Sequence, residues 1–130
     1  MTIQYPPAWS RLQWPWVRME LLGQLDELAD PLATAKWLRP DPRGPIIGID
    51  QQFHFFFDDH DFDREDIGYS LFDADEVTAI ASVKDALEQI LNTNEDGDDP
   101  YFLEHPLWPR VVDSATRARD LLSTKGVPEL

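Results

Sequence analysis

Residues 46–57 read Ile46-Ile47-Gly48-Ile49-Asp50-Gln51-Gln52-Phe53-His54-Phe55-Phe56-Phe57. Ile47, Ile49, Phe53, Phe55 and Phe57 fall on one side of an extended chain, interrupted by Gln51. Gly48, Asp50, Gln52, His54 and Phe56 fall on the other. Alternation with period two, in Ile and Phe, predicts a β-strand. Only one side is greasy, so the other is expected to face water or a partner. The connection Asp58-Asp59-His60-Asp61-Phe62-Asp63-Arg64-Glu65-Asp66 follows, and Ile67–Phe72 is expected as a second, antiparallel strand.

Outward from this core the pattern is helical. Val17, Leu21, Leu25, Leu28 and Leu32 recur every three or four residues behind Pro15, which suits the first position of a helix. A helix over about 15–29 is expected, closed by Asp30-Pro31. Residues 32–38 read as a short helix or an edge strand, and 40–45 as a proline-rich turn. Asp73 with Glu76 three residues on is a capping pattern for a helix over about 74–91, whose stripe is Val77, Ile80, Val83, Leu87 and Leu91. A last helix is expected from about Pro109, stopped by Gly126 and Pro128. Trp14-Pro15-Trp16-Val17 and Trp108-Pro109-Arg110-Val111 share a Trp-Pro-x-Val start. The expected fold class is therefore α+β, a small antiparallel sheet with about three helices on one face. It is expected as one domain over 1–130, with 1–13 an irregular arm.

The chain has 130 residues and a net charge of −14. That length suits a single domain with an adequate core. No cysteine is present, which excludes disulfides, thiolate zinc sites and thiol nucleophiles. Apolar residues at 42% and aromatics at 12% are globular values, unlike those of a disordered acidic chain. The charge argues against nucleic acid and anionic membrane as partners. No signal peptide or 18-residue apolar run is present, so a cytoplasmic location is expected. The charge is also uneven. Residues 1–43 balance, 106–130 carry +1, and 44–105 hold Arg64 and Lys84 against seventeen carboxylates.

Catalytic and metal chemistry find little support. His54 and His60 stand among Asp58, Asp59 and Asp61, but without a recognised metal spacing. Asn92, Asn94, Asp96 and Gly97 mimic the start of a calcium loop, yet Leu103 sits where the bidentate carboxylate belongs. No serine has a nucleophile-elbow context, and no glycine-rich phosphate loop occurs. No metal, no cofactor and no catalytic residue is expected, and the chain reads as a non-enzyme.

Binding fits the residues better. Asp50, His54, Asp58, Asp59, Asp61, Phe62, Asp63, Glu65 and Asp66 are the expected partner-binding residues. Their acids would steer and pair a basic protein, and Phe62 would anchor it. Glu95, Asp96, Asp98 and Asp99 form a rival acidic patch.

The chain resembles a family of small acidic bacterial proteins to which no activity is assigned. The resemblance rests on Trp14-Pro15 with Arg18, Glu20 and Leu21-Leu22, then Leu28-Ala29-Asp30-Pro31. It continues through Phe57-Asp58-Asp59, Asp75-Glu76-Val77 and Pro106-Leu107-Trp108-Pro109 with Val111-Val112. By size and charge the chain is similar to the immunity proteins of contact-dependent growth inhibition. That likeness implies a cognate toxin domain, basic and possibly a nuclease, as the partner neutralised by direct binding. The alternative is a housekeeping interaction or regulatory module.

Overall fold

The computed structural model describes residues 4–39, 42–43 and 48–128. Among them the chain is helical, with no β-strand. The long helices are α1 (Pro15–Ala29), α4 (Ala74–Leu91) and α6 (Trp108–Ser123). Short helices α2 (Pro31–Ala35), α3 (Ile49–Phe53) and α5 (Asp99–Leu103) join them.

The α+β expectation with its antiparallel sheet is thus corrected. Ile49–Phe53 is α-helical, and His54–Asp59 continues as a π-helical turn. Ile67–Phe72 forms a tight turn around one isolated bridge between Ile67 and Leu71. The physical reason lies in the run of phenylalanines. Phe53, Phe55, Phe56 and Phe57 occupy every side of a helix as well as of a strand, so periodicity does not separate the two. Ile46 and Ile47, and most of the expected turn at 40–45, lie outside the described residues. Residues 32–38 take the helical alternative, as the end of α2 and a 3₁₀ turn over Lys36–Leu38. Within the expected arm, Pro7–Arg11 is a 3₁₀ turn that buries Trp9.

Helix α6 is the central element, packed against both α1 and α4. It presents Val111, Ala115, Ala118 and Leu122, all fully buried, at spacings of four, three and four. The two alanines let the neighbouring helices approach closely. Leu21, Leu25 and Leu28 of α1 and Ile80, Val83, Leu87 and Ile90 of α4 complete this core. Asp30 caps α2 and Asp73 caps α4, each through a carboxylate accepting a backbone N–H.

A buried ion network ties these helices together. Arg18 of α1 and Glu76 of α4 are both fully buried and meet in two parallel hydrogen bonds of 2.8 Å. Arg18 also donates to the carbonyls of Ser70 and Leu122, at 3.2 and 3.1 Å. Its guanidinium lies over the Phe72 ring, 4.6 Å from the centroid. Glu76 further accepts from the Phe72 N–H and from Lys125, at 2.8 and 2.7 Å. The capping pattern seen in sequence is therefore half used. Asp73 caps the helix, while Glu76 turns inward to the arginine. Burial pushes the Glu76 carboxyl up, but the hydrogen bonds from Arg18, Lys125 and Phe72 hold it below the usual range. The bond from Lys125, then that from the Glu76 N–H, lowers Asp73 as well. Burial alone would depress Lys125, and its bonds to Asp73 and Glu76 raise it.

Candidate binding surface

Asp50, His54 and Asp58 succeed one another at intervals of four, one helical step apart, and all three are exposed. His54 Nδ1 and Asp58 Oδ2 meet at 2.6 Å on this solvated face. Behind them Phe55 and Phe56 are buried, edge to face with centroids 5.0 Å apart. The wider π turn carries one extra residue per hydrogen-bonded ring. It directs two neighbouring phenylalanines inward and leaves Asp58 and Asp59 outside. Gln52 and Phe56, expected on the wet side with Asp50 and His54, are instead fully buried. Gln52 donates to Gln24 of α1 at 2.6 Å, which fixes the turn to that helix.

Helix α3 is held from the other side by the rival acidic loop. Asp99 Oδ1 accepts the Ile49 N–H at 2.9 Å, and Asp98 caps α5. Asp98 and Asp99 thus have structural duties, and Asp99 is half-buried while Glu95, Asp96 and Asp98 of that patch are exposed. Gly48 makes the close approach possible. Its φ is +143°, and a Cβ there would lie 2.8 Å from an Asp99 carboxylate oxygen. Gly48→Ala is expected to destabilise the protein by about 1–3 kcal/mol, read as a lower urea midpoint. An unchanged midpoint would show that Asp99 does not dock α3 in solution.

Some of the acids close in sequence separate into two grooves, while Asp58, Glu65 and Asp66 line neither. Asp50, His54 and Asp59 line one of about 460 Å³ together with Glu20 and Gln24 of α1. Asp61 and Asp63 line another of about 400 Å³ with Asp85 and Glu88 of α4. The π turn forms a wall of each, with Phe55 in the first and Phe57 in the second. Glu20, Asp85 and Glu88 were not expected at the site. Their only sequence signal is that they stand off the apolar stripes of α1 and α4. Lys84 reaches into the second groove, donating to the Asp61 carbonyl at 2.9 Å.

Phe62, expected among the partner-binding residues with its burial left open by the sequence, lies inside. Its φ is +52°, and the kink carries the ring inside while Asp61 and Asp63 stay exposed. The buried ring lies 5.6 Å from Phe55 and 5.1 Å from His60. His60 is therefore part of an aromatic cluster. Asp63, Glu65 and Asp66 are local to the next turn, where Asp63 accepts the Glu65 N–H and Asp66 accepts the Asp63 N–H. Among the described residues no group of three His, Asp or Glu is placed to hold a metal ion. No described helix is long and apolar enough to cross a membrane.

Residues 12–128 match the family described as Domain of unknown function (DUF7945). The chain belongs to the DUF7945 family. The match spans nearly all of its length, from Leu12 through α6 to Pro128. Both acidic grooves of this DUF7945 domain therefore lie inside the matched region. No curated protein and no solved structure matches the chain.

Proposed function

We propose that this protein is a non-catalytic docking protein that binds a basic protein partner, and that it acts as an immunity protein neutralising a cognate toxin domain in the cytoplasm. One observation carries the reading. Among the described residues, no Lys or Arg forms an ion pair with Asp50, Asp58, Asp59, Asp61, Asp63, Glu65 or Asp66. Arg18, Arg117, Arg119 and Lys125 pair with acids outside this segment, and within it Asp58 meets His54. The cost of such crowded charge without a Lys or Arg partner is self-repulsion in the folded state. A basic partner removes that cost on binding and is drawn in faster, because steering acts on encounter.

The test looks for a large secreted protein encoded beside this one and co-expresses its C-terminal domain; the absence of such a neighbour would count against the immunity reading. Wild type is expected to rescue growth. The triple variant Asp58→Lys, Asp59→Lys, Asp61→Lys is expected to fold normally and to lower the association rate about tenfold or more at low salt. Its salt dependence should flatten as well. Rescue that survives reversal of these residues and of Glu95 and Asp96 would refute the electrostatic basis of the proposal.

A further inference from the structure

The five tryptophans divide unequally. Trp9, Trp37 and Trp108 are buried, whereas Trp14 and Trp16 are 42% and 54% exposed where α1 begins. The contrast is clearest between the two Trp-Pro-x-Val starts. Trp108 is 7% exposed and packs edge-on to Trp37, with ring centroids 6.0 Å apart. Trp14 lies outside and rests against Tyr69, with centroids 4.6 Å apart. The same local sequence therefore serves the core once and the surface once.

Trp14 is fixed to the end of the acidic segment, and Trp16 follows it in the first turn of α1. The Gln13 N–H donates to the Gly68 carbonyl at 3.0 Å, and the Trp14 N–H to the Tyr69 carbonyl at 2.9 Å. In the same turn the Asp66 carbonyl accepts the N–H groups of Tyr69, Ser70 and Leu71. Ile67, also exposed, belongs to this turn. From Asp58 to Leu71 the chain carries six carboxylates and one cation other than histidine, Arg64. A firmly held Trp14–Tyr69 pair thus stands where the charged stretch ends.

We propose that Trp14, Trp16, Ile67 and Tyr69 form the anchoring patch of the docking surface, and that its occupant is an arginine-bearing segment of the basic partner. The inference rests on the reading of the acidic segment as a docking surface, and it names the anchor that reading lacks now that Phe62 is buried. Exposed indole faces attract guanidinium, which stacks flat and still offers its edge to carboxylates. Aromatic anchors carry most binding energy at such interfaces, and surrounding charges set the encounter rate. A second copy is a poor occupant, because it would bring another −14 against the first.

The experiment titrates the full chain with a peptide of about ten arginines at roughly 0.1 M salt, followed by calorimetry and tryptophan fluorescence. Trp14→Leu and Trp16→Ser are each expected to weaken binding about three- to fivefold, with the melting temperature unchanged for Trp16→Ser. Trp16 is more than half exposed, so its removal leaves the Trp14–Tyr69 contact in place. An oligolysine of equal length should bind more weakly than the oligoarginine. If both tryptophan variants bind like the parent while Asp58→Asn with Asp59→Asn loses affinity, the anchor is refuted and the acidic docking surface stands. If all variants bind like the parent, the docking reading fails too. A parent that sediments as a dimer, with Trp16→Ser monomeric, makes the occupant a second copy and overturns the inference.

Discussion

Replacing Glu76 with alanine is expected to destabilise the protein by about 3–5 kcal/mol, the usual cost of stranding one partner of a buried ion pair. Arg18 is fully buried, and its two strongest bonds end on the Glu76 carboxylate. Without that acceptor the guanidinium keeps only the carbonyls of Ser70 and Leu122. Lys125 loses one of its two anionic partners at the same time. Urea denaturation measures the effect, and a loss below about 1 kcal/mol would mean that the arginine finds water by local relaxation. Joint replacement by Arg18→Met and Glu76→Leu should recover much of the loss, because an apolar pair leaves no charge unpaired. The same pair sets an acid limit. Glu76 is held below its unfolded value of about 4.3, so its contribution is present above that value and is lost as pH falls through the folded one. Lys125 is raised, so its contribution is present below about 10.4 and is lost as pH rises through its folded value. Melting curves below pH 5 should fall less steeply for Glu76→Gln than for wild type.

Phe56→Ala is expected to cost about 3–5 kcal/mol, the range for emptying a buried phenylalanine site. The ring is fully buried and touches Phe55 edge to face. Phe57→Ala should cost clearly less, since Phe57 is only half-buried and borders the second groove. The order of these two effects tests the helical turn itself. In the alternating strand Phe57 would face the core and Phe56 the solvent, and the larger loss would fall on Phe57. Paired urea midpoints decide between them.

The long helices were legible because their apolar residues lie on one stripe. Val17, Leu21, Leu25 and Leu28 define α1, and Asp73 with the stripe from Val77 to Leu91 defines α4, within a residue of the observed bounds. The candidate site was legible only as a charged segment. Asp50, His54, Asp58, Asp59, Asp61, Asp63 and Glu65 of that segment are exposed, whereas Phe62 is inside. The inward turn of Glu76 toward Arg18 gave no local signal, since the partners are 58 residues apart.

By itself the sequence determined the three long helices, the Asp73 cap of α4 and the partition of charge into an anionic middle between balanced ends. The tertiary structure alone decided that residues 49–59 coil instead of pairing as a strand, that Trp108 is buried while Trp14 is exposed, and that some of the acids divide between two grooves. The physical reason is one of scale. Propensity differences per residue stay within about 1 kcal/mol. Burying one large apolar side chain is worth roughly 1.5–3 kcal/mol. Where the apolar residues mark a single face, local pattern and burial agree. Where phenylalanine stands on every face, as from Phe53 to Phe57, only the surfaces offered by the rest of the chain choose among them.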